Sequence, residues 1–158
     1  MGSVDSEIKF LSYKIDDFTF DSVKDLNILS FSGALDPKGW KYEFSLGAPT
    51  FFKKRALYVV NVKCTLSHII KTGEVEKNIL TIKCSLSGAF ESSNGQISSD
   101  VEERIVKYHL PTILFPYLRG TVTTFVANSG FGPLVFPLVN INKIADDLLK
   151  EIPIQIVE

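Results

Sequence analysis

From Ala56 to Ile70 the even positions read Ala56, Tyr58, Val60, Val62, Cys64, Leu66, His68, Ile70, while Asn61, Lys63, Thr65 and Ser67 take odd ones. That two-residue period predicts a long strand with one covered face. Leu80, Ile82, Cys84, Leu86 and Phe90, set against Thr81, Lys83, Ser85 and Ser87, predict a second. Thr72-Gly73-Glu74 between them predicts a hairpin turn. Trp40, Tyr42, Phe44 and Leu46 predict a shorter strand. The first strand changes phase: Ile8 and Phe10 give way to Leu11, Tyr13 and Ile15, then to Phe18 and Phe20. A phase change within one strand predicts a bulge or bend.

Helical spacing follows. Ser99-Asp100-Val101-Glu102 matches a capping box and predicts a short helix ending near His109. Between Thr112 and Asn128, Leu114, Leu118, Val122, Phe125 and Val126 share one helical face. Pro116 fits only near the start of that helix, and Gly130 is a natural stop beyond it. A last helix, capped by Asn140 or Asn142, carries Ile141, Ile144, Ala145, Leu148 and Leu149. Pro153 ends it and leaves Ile154 to Val157 extended. Strands over about residues 7–90 and helices over about 100–151 predict one α+β domain, residues 1–158, with an antiparallel sheet.

Leu110 to Asn142 holds a single charged side chain, Arg119, in a chain that is 22% charged. Its prolines and glycines exclude the unbroken apolar run of about 20 residues that a membrane helix needs. A buried helix followed by an apolar loop is expected, and such a loop must bury itself or bury something else.

Composition narrows the function. The net charge of −1 gives no basic excess to suggest nucleic acid. The first residues lack the basic and apolar regions of a signal peptide, although Met1-Gly2 fits a loose myristoylation pattern. Cys64 and Cys84 sit at apolar strand positions, which predicts buried thiols and a cytoplasmic setting. His68 and His109 occupy structural contexts, and no spacing of His and Cys suits a metal. Asp16-Asp17 and Asp146-Asp147 read as solvated charge, and no nucleophile motif or phosphate-binding loop occurs. The chain is expected to bind rather than catalyse, with no cofactor.

One string goes further. Leu110-Pro111-Thr112-Ile113-Leu114-Phe115-Pro116-Tyr117-Leu118-Arg119 resembles the helix-opening signature of the SecB protein-export chaperones, close to P-x-x-L-F-P-Y-x-R. Asp17-Phe18-Thr19-Phe20-Asp21, Gly88-Ala89-Phe90 and Pro137-Leu138-Val139-Asn140 resemble further family segments, in order. The resemblance implies four antiparallel strands followed by helices, assembled as a dimer of dimers. It implies a holdase for unfolded polypeptides that uses no ATP. The candidate client groove is Trp40 and Phe44 with Phe131, Leu134, Val135 and Phe136. Leu114, Phe115, Pro116, Tyr117 and Arg119 form the structural signature.

The family delivers clients to the motor SecA through an acidic surface. Asp17 and Asp21 match two positions of that surface, but Lys83 stands at a third with the wrong sign, which argues against SecA as partner. A chaperone dedicated to another client, such as an antitoxin, and a carrier of small hydrophobic ligands are the alternatives. A purely structural oligomer is a further one.

Overall fold

The structure, a computed structural model, describes residues 7–24 and 36–158, so the Met1-Gly2 pattern lies outside the described residues. One sheet holds β1 (Ile8–Ser22), β2 (Trp40–Leu46), β3 (Thr50–Phe52), β4 (Leu57–Thr72), β5 (Val75–Ser92) and β6 (Gln155–Val157). The α+β class is as expected, but among the described residues the sheet has six strands, not four. The lane beside β4 is split: β2 and β3 pair with successive stretches of the same edge, separated by Gly47-Ala48-Pro49. Pro49 has no N–H to continue a ladder. The extended C-terminal segment then returns as β6, parallel to β3. Apart from that pair, the pairings are antiparallel.

β4 and β5 are joined by the two-residue turn Gly73-Glu74, with Gly73 at φ 66°. β1 pairs with β5 and shifts register twice, between Phe10 and Ser12 and between Ile15 and Asp17. The two bulges have one consequence. Ile8, Phe10, Tyr13, Ile15, Phe18 and Phe20 all lie opposite the inward-facing even positions of β5. The sequence's phase changes therefore keep these six residues on one side, whereas Leu11, expected in phase with Tyr13 and Ile15, is the extra residue of the first bulge and is exposed. Asp16, the extra residue of the second bulge, accepts from the Ser87 hydroxyl and from Asn61 Nδ2 at 3.1 Å, and pairs with Lys14 at 3.1 Å.

The helices differ from expectation at their junction. α1 (Ser99–Arg104) runs through a π-helical turn, Ile105–His109, directly into α2 (Leu110–Asn128). The Leu110 N–H donates to the Ile105 carbonyl five residues back, and this wider turn carries the helix past Pro111, which has no N–H to give. Pro116 is thus inside a helix rather than near its start. It is exposed, as is Thr112, whose carbonyl it leaves without a helical partner. The capping box is also absent. Ser98, not Ser99, is the N-cap, without a side-chain cap bond, and Glu102 turns into the core instead.

α3 (Ile141–Leu149) is capped by Asn140, whose side chain accepts from the Lys143 N–H at 3.1 Å. The core lies between the inner sheet face and α2 and α3: Val60, Val62, Leu66, Ile82 and Leu86 meet Leu114, Leu118, Val122, Val126, Ala145 and Leu149. Lys107 is also buried, its ammonium 3.0 Å from Glu103 one helical turn earlier.

Candidate functional site

The family-signature residues spread over four neighbours. Leu114 is fully buried against Gly88, where a Cβ would come within 3.0 Å of it. Phe115 meets the rings of Phe44 and Phe136, each at 5.7 Å. Tyr117 meets Tyr13 at 4.6 Å and Phe10 at 5.2 Å. The Arg119 guanidinium lies 5.7 Å from the centre of the Phe115 ring. One turn of α2 therefore touches β1, β2, β5 and the apolar loop, and this explains why those residue types occur together.

The loop after α2 partly fills the groove expected from sequence. Phe136 sits among Tyr42, Phe44 and Phe115, at centroid distances of 6.3, 5.6 and 5.7 Å. The Tyr42 hydroxyl donates to the Val135 carbonyl at 3.4 Å. Phe131 packs on Phe20 at 5.9 Å, and Leu134 is buried. Trp40 is buried too, edge-on to His68 at 5.0 Å. Val135 and Leu138 turn outward, 83% and 102% exposed. Of the six candidates, Phe44 and Phe136 touch, while Val135 faces solvent.

A second apolar surface was missed. A groove of about 670 Å³ runs between β1 and α2, walled by Tyr13, Ile15 and Phe18 on one side and Tyr117, Thr124 and Phe125 on the other. Tyr117 and Phe125 are two helical turns apart, and each stacks on β1, Phe125 meeting Phe18 at 4.7 Å. Between them Gly120 and Thr121 are small, so the helix stands off the strand. Tyr13 and Ile15 remain 42% and 49% exposed beside the edge of β1 that pairs with no other strand among the described residues. The phase changes of β1 were the available signal, but nothing in a local pattern shows which inward residues a helix leaves uncovered.

On the outer sheet face, Lys83 lies opposite Thr19 on β1, between the positions facing Asp17 and Asp21. All three charged residues are exposed, so the surface is mixed in sign. Among the described residues no three His, Cys, Asp or Glu side chains gather as a metal site, and no helix is long and apolar enough to cross a membrane.

The family model described as SecB, preprotein translocase subunit SecB, matches residues 8–150. The chain belongs to the SecB family. Its relatives include the protein-export protein SecB of Nitrosomonas europaea, 27% identical over 113 residues, covering 61% of this chain and 69% of the relative. The SecB of Acidithiobacillus ferrooxidans is 34% identical over 76 residues, covering 48% of this chain and half of the relative's own length. The SecB fold is found again in the Mycobacterium tuberculosis SecB-like chaperone Rv1957, solved with a ChAD peptide from the HigA1 antitoxin. It aligns with a TM-score of 0.58 at 13% identity, over 84% of this chain and 91% of that one.

Proposed function

We propose that this SecB-family chain is an ATP-independent holdase that keeps polypeptide clients unfolded for export, acting in the cytoplasm without catalysis or cofactor. The observation that carries the reading is the aromatic-walled groove between β1 and α2, held open on a rigid sheet. Micromolar capture takes about 8 kcal/mol. One large apolar side chain supplies roughly 1.5–3 kcal/mol. Several client side chains must therefore bind together, which suits a long groove with little sequence preference. The loop side chains Val135 and Leu138, with Phe131, Leu134, Phe136, Phe44 and Trp40 behind them, extend the client surface.

Assembly as a tetramer is part of the proposal. β1 is an edge strand of 15 residues paired only with β5 among the described residues. Such an edge with exposed apolar neighbours invites a second copy. Two dimers then form the tetramer.

Lys83 favours a second reading, in which the chaperone serves a dedicated client such as an antitoxin rather than SecA-driven export. A lysine between Asp17 and Asp21 weakens any surface meant for a basic partner. An open groove also suits an extended chain better than it suits the closed cavity of a small-ligand carrier.

The deciding experiment is suppression of aggregation of a chemically denatured protein without nucleotide, with the native form as binding control. Stoichiometric suppression and no binding of the native form is expected. Failure over several clients removes the holdase reading.

A further inference from the structure

β6 is attached differently from the other strands. Its register with β3 is Thr50 to Gln155, Phe51 to Ile156 and Phe52 to Val157. The Gln155 N–H donates to the Pro49 carbonyl at 2.9 Å. At the far end Lys53 meets Glu158 at 2.8 Å, an exposed pair that contributes little. All three β6 side chains are exposed, and the nearest residue packed against the core is Ile154, just before the strand. Ile156 and Val157 keep 42% and 41% of their surface exposed, so β6 is held by backbone pairing with only partial side-chain cover, in the parallel form that is slightly the weaker. A short edge segment with no fully buried side chain opens at lower free-energy cost than the core strands.

We infer that the outer edge of β3 is a seat for an extended polypeptide, which β6 occupies and a partner segment displaces. Main-chain pairing at a sheet edge is tolerant of sequence. That matches a partner defined by being unfolded, and the identity of the partner rests on the holdase reading. The occupant shows the chemistry that fits. It is an extended segment running parallel to β3, with β-branched residues at the places of Ile156 and Val157 beside exposed Phe52, and a carboxylate facing Lys53. The β1–α2 groove takes side chains, whereas this seat takes backbone.

The test uses a reduced, carboxymethylated and hence permanently unfolded protein as probe. Amide hydrogen exchange is read by nuclear magnetic resonance on the full chain, and binding is compared with a chain ending at Ile154. On saturation the amides of Gln155 and Val157, the β6 donors that face β3, are expected to exchange at least tenfold faster, while those of Thr50–Phe52 stay protected. The shortened chain is expected to bind the probe severalfold more tightly. If β6 keeps its protection and both chains bind alike, the seat is overturned and the holdase stands. Loss of protection at β3 together with β6 also overturns it. If only the shortened chain binds, the seat stands and the holdase reading of the full chain fails; if neither binds, both fall. Should the shortened chain not fold, Gln155→Pro removes the donor to Pro49 at full length and is read in the same way.

Discussion

The Tyr58 phenol donates to the Glu102 carboxylate at 2.5 Å, joining β4 to α1 inside the core. The same phenol accepts from the Ile97 N–H at 2.9 Å, and Gln96 Nε2 donates to the same Glu102 oxygen at 3.1 Å. One buried cluster thus fixes the path of the chain from sheet to helix. Tyr58→Phe leaves the Ile97 N–H without its acceptor and Glu102 without its shortest bond. The expected loss is about 1–3 kcal/mol, measured by urea unfolding. An unchanged midpoint and slope would show that water replaces the phenol.

Cys64 and Cys84 face each other across β4 and β5, and both are buried free thiols. Burial pushes Cys64 up to about 12, with the neighbouring thiol adding to the effect. Burial pushes Cys84 to about 11, with the charge of Asp17 adding. Both folded values lie above the ordinary 9.0, so this stability is fully present below pH 9 and is lost as pH rises through 11 to 12. Burial and the bond to Glu102 also raise Tyr58 above its ordinary 10.0, which steepens the alkaline loss. A thiol reagent at pH 8 is expected to label both cysteines only as fast as the sheet opens. Rapid labelling of the folded chain would contradict this burial.

The second bulge of β1 is testable through Asp16. Deleting it forces either Phe18 and Phe20 or Tyr13 and Ile15 to the outer face. Roughly 1.5–3 kcal/mol is lost for each large side chain moved from a buried to an exposed place, less for those half-exposed already. Asp16→Ala keeps the register and removes only the clamp on Ser87 and Asn61, so it should cost much less. Burial tends to raise the Asp16 carboxyl, but Ser87, Lys14 and Asn61 together hold it below its ordinary 3.8. Its contribution is therefore present above about pH 4 and fades as pH falls through the lowered folded value. The wild-type chain should lose this increment in acid, and Asp16→Ala should not. Parallel acid titrations of the two would refute the clamp.

The loop gives a separation of fold from capture. Val135→Asp with Leu138→Asp alters two outward side chains and should change stability by no more than about 0.5 kcal/mol. The same pair should weaken binding of an unfolded protein severalfold. Phe136→Asp instead removes a ring from between Tyr42, Phe44 and Phe115 and should destabilise the chain by roughly 1–3 kcal/mol. Equal binding by wild type and the outward pair would take the loop out of the client surface.

The sequence by itself determined the elements whose pattern is local and long. β4 and β5 show a long two-residue period, interrupted only where their register shifts between His68 and Ile69, and the inward stripe of α2 follows from Leu114, Leu118, Val122 and Val126. The phase changes of β1 were readable for the same reason, since each extra residue shifts the alternation by one. The family was readable from the string around Phe115 to Arg119, whose residues answer to different neighbours and so constrain one another. Tertiary structure decided the rest. β3 and β6 are three residues each, too short to show a period, and each exists because a partner edge is there to pair with. The π-helical turn depends on a wider hydrogen bond around Pro111, which a capping rule does not foresee. The β1–α2 groove joins residues roughly a hundred positions apart, and its opening is set by where one helix stands off one strand. Local propensity reports which face of an element is apolar; only packing decides how much of that face stays uncovered.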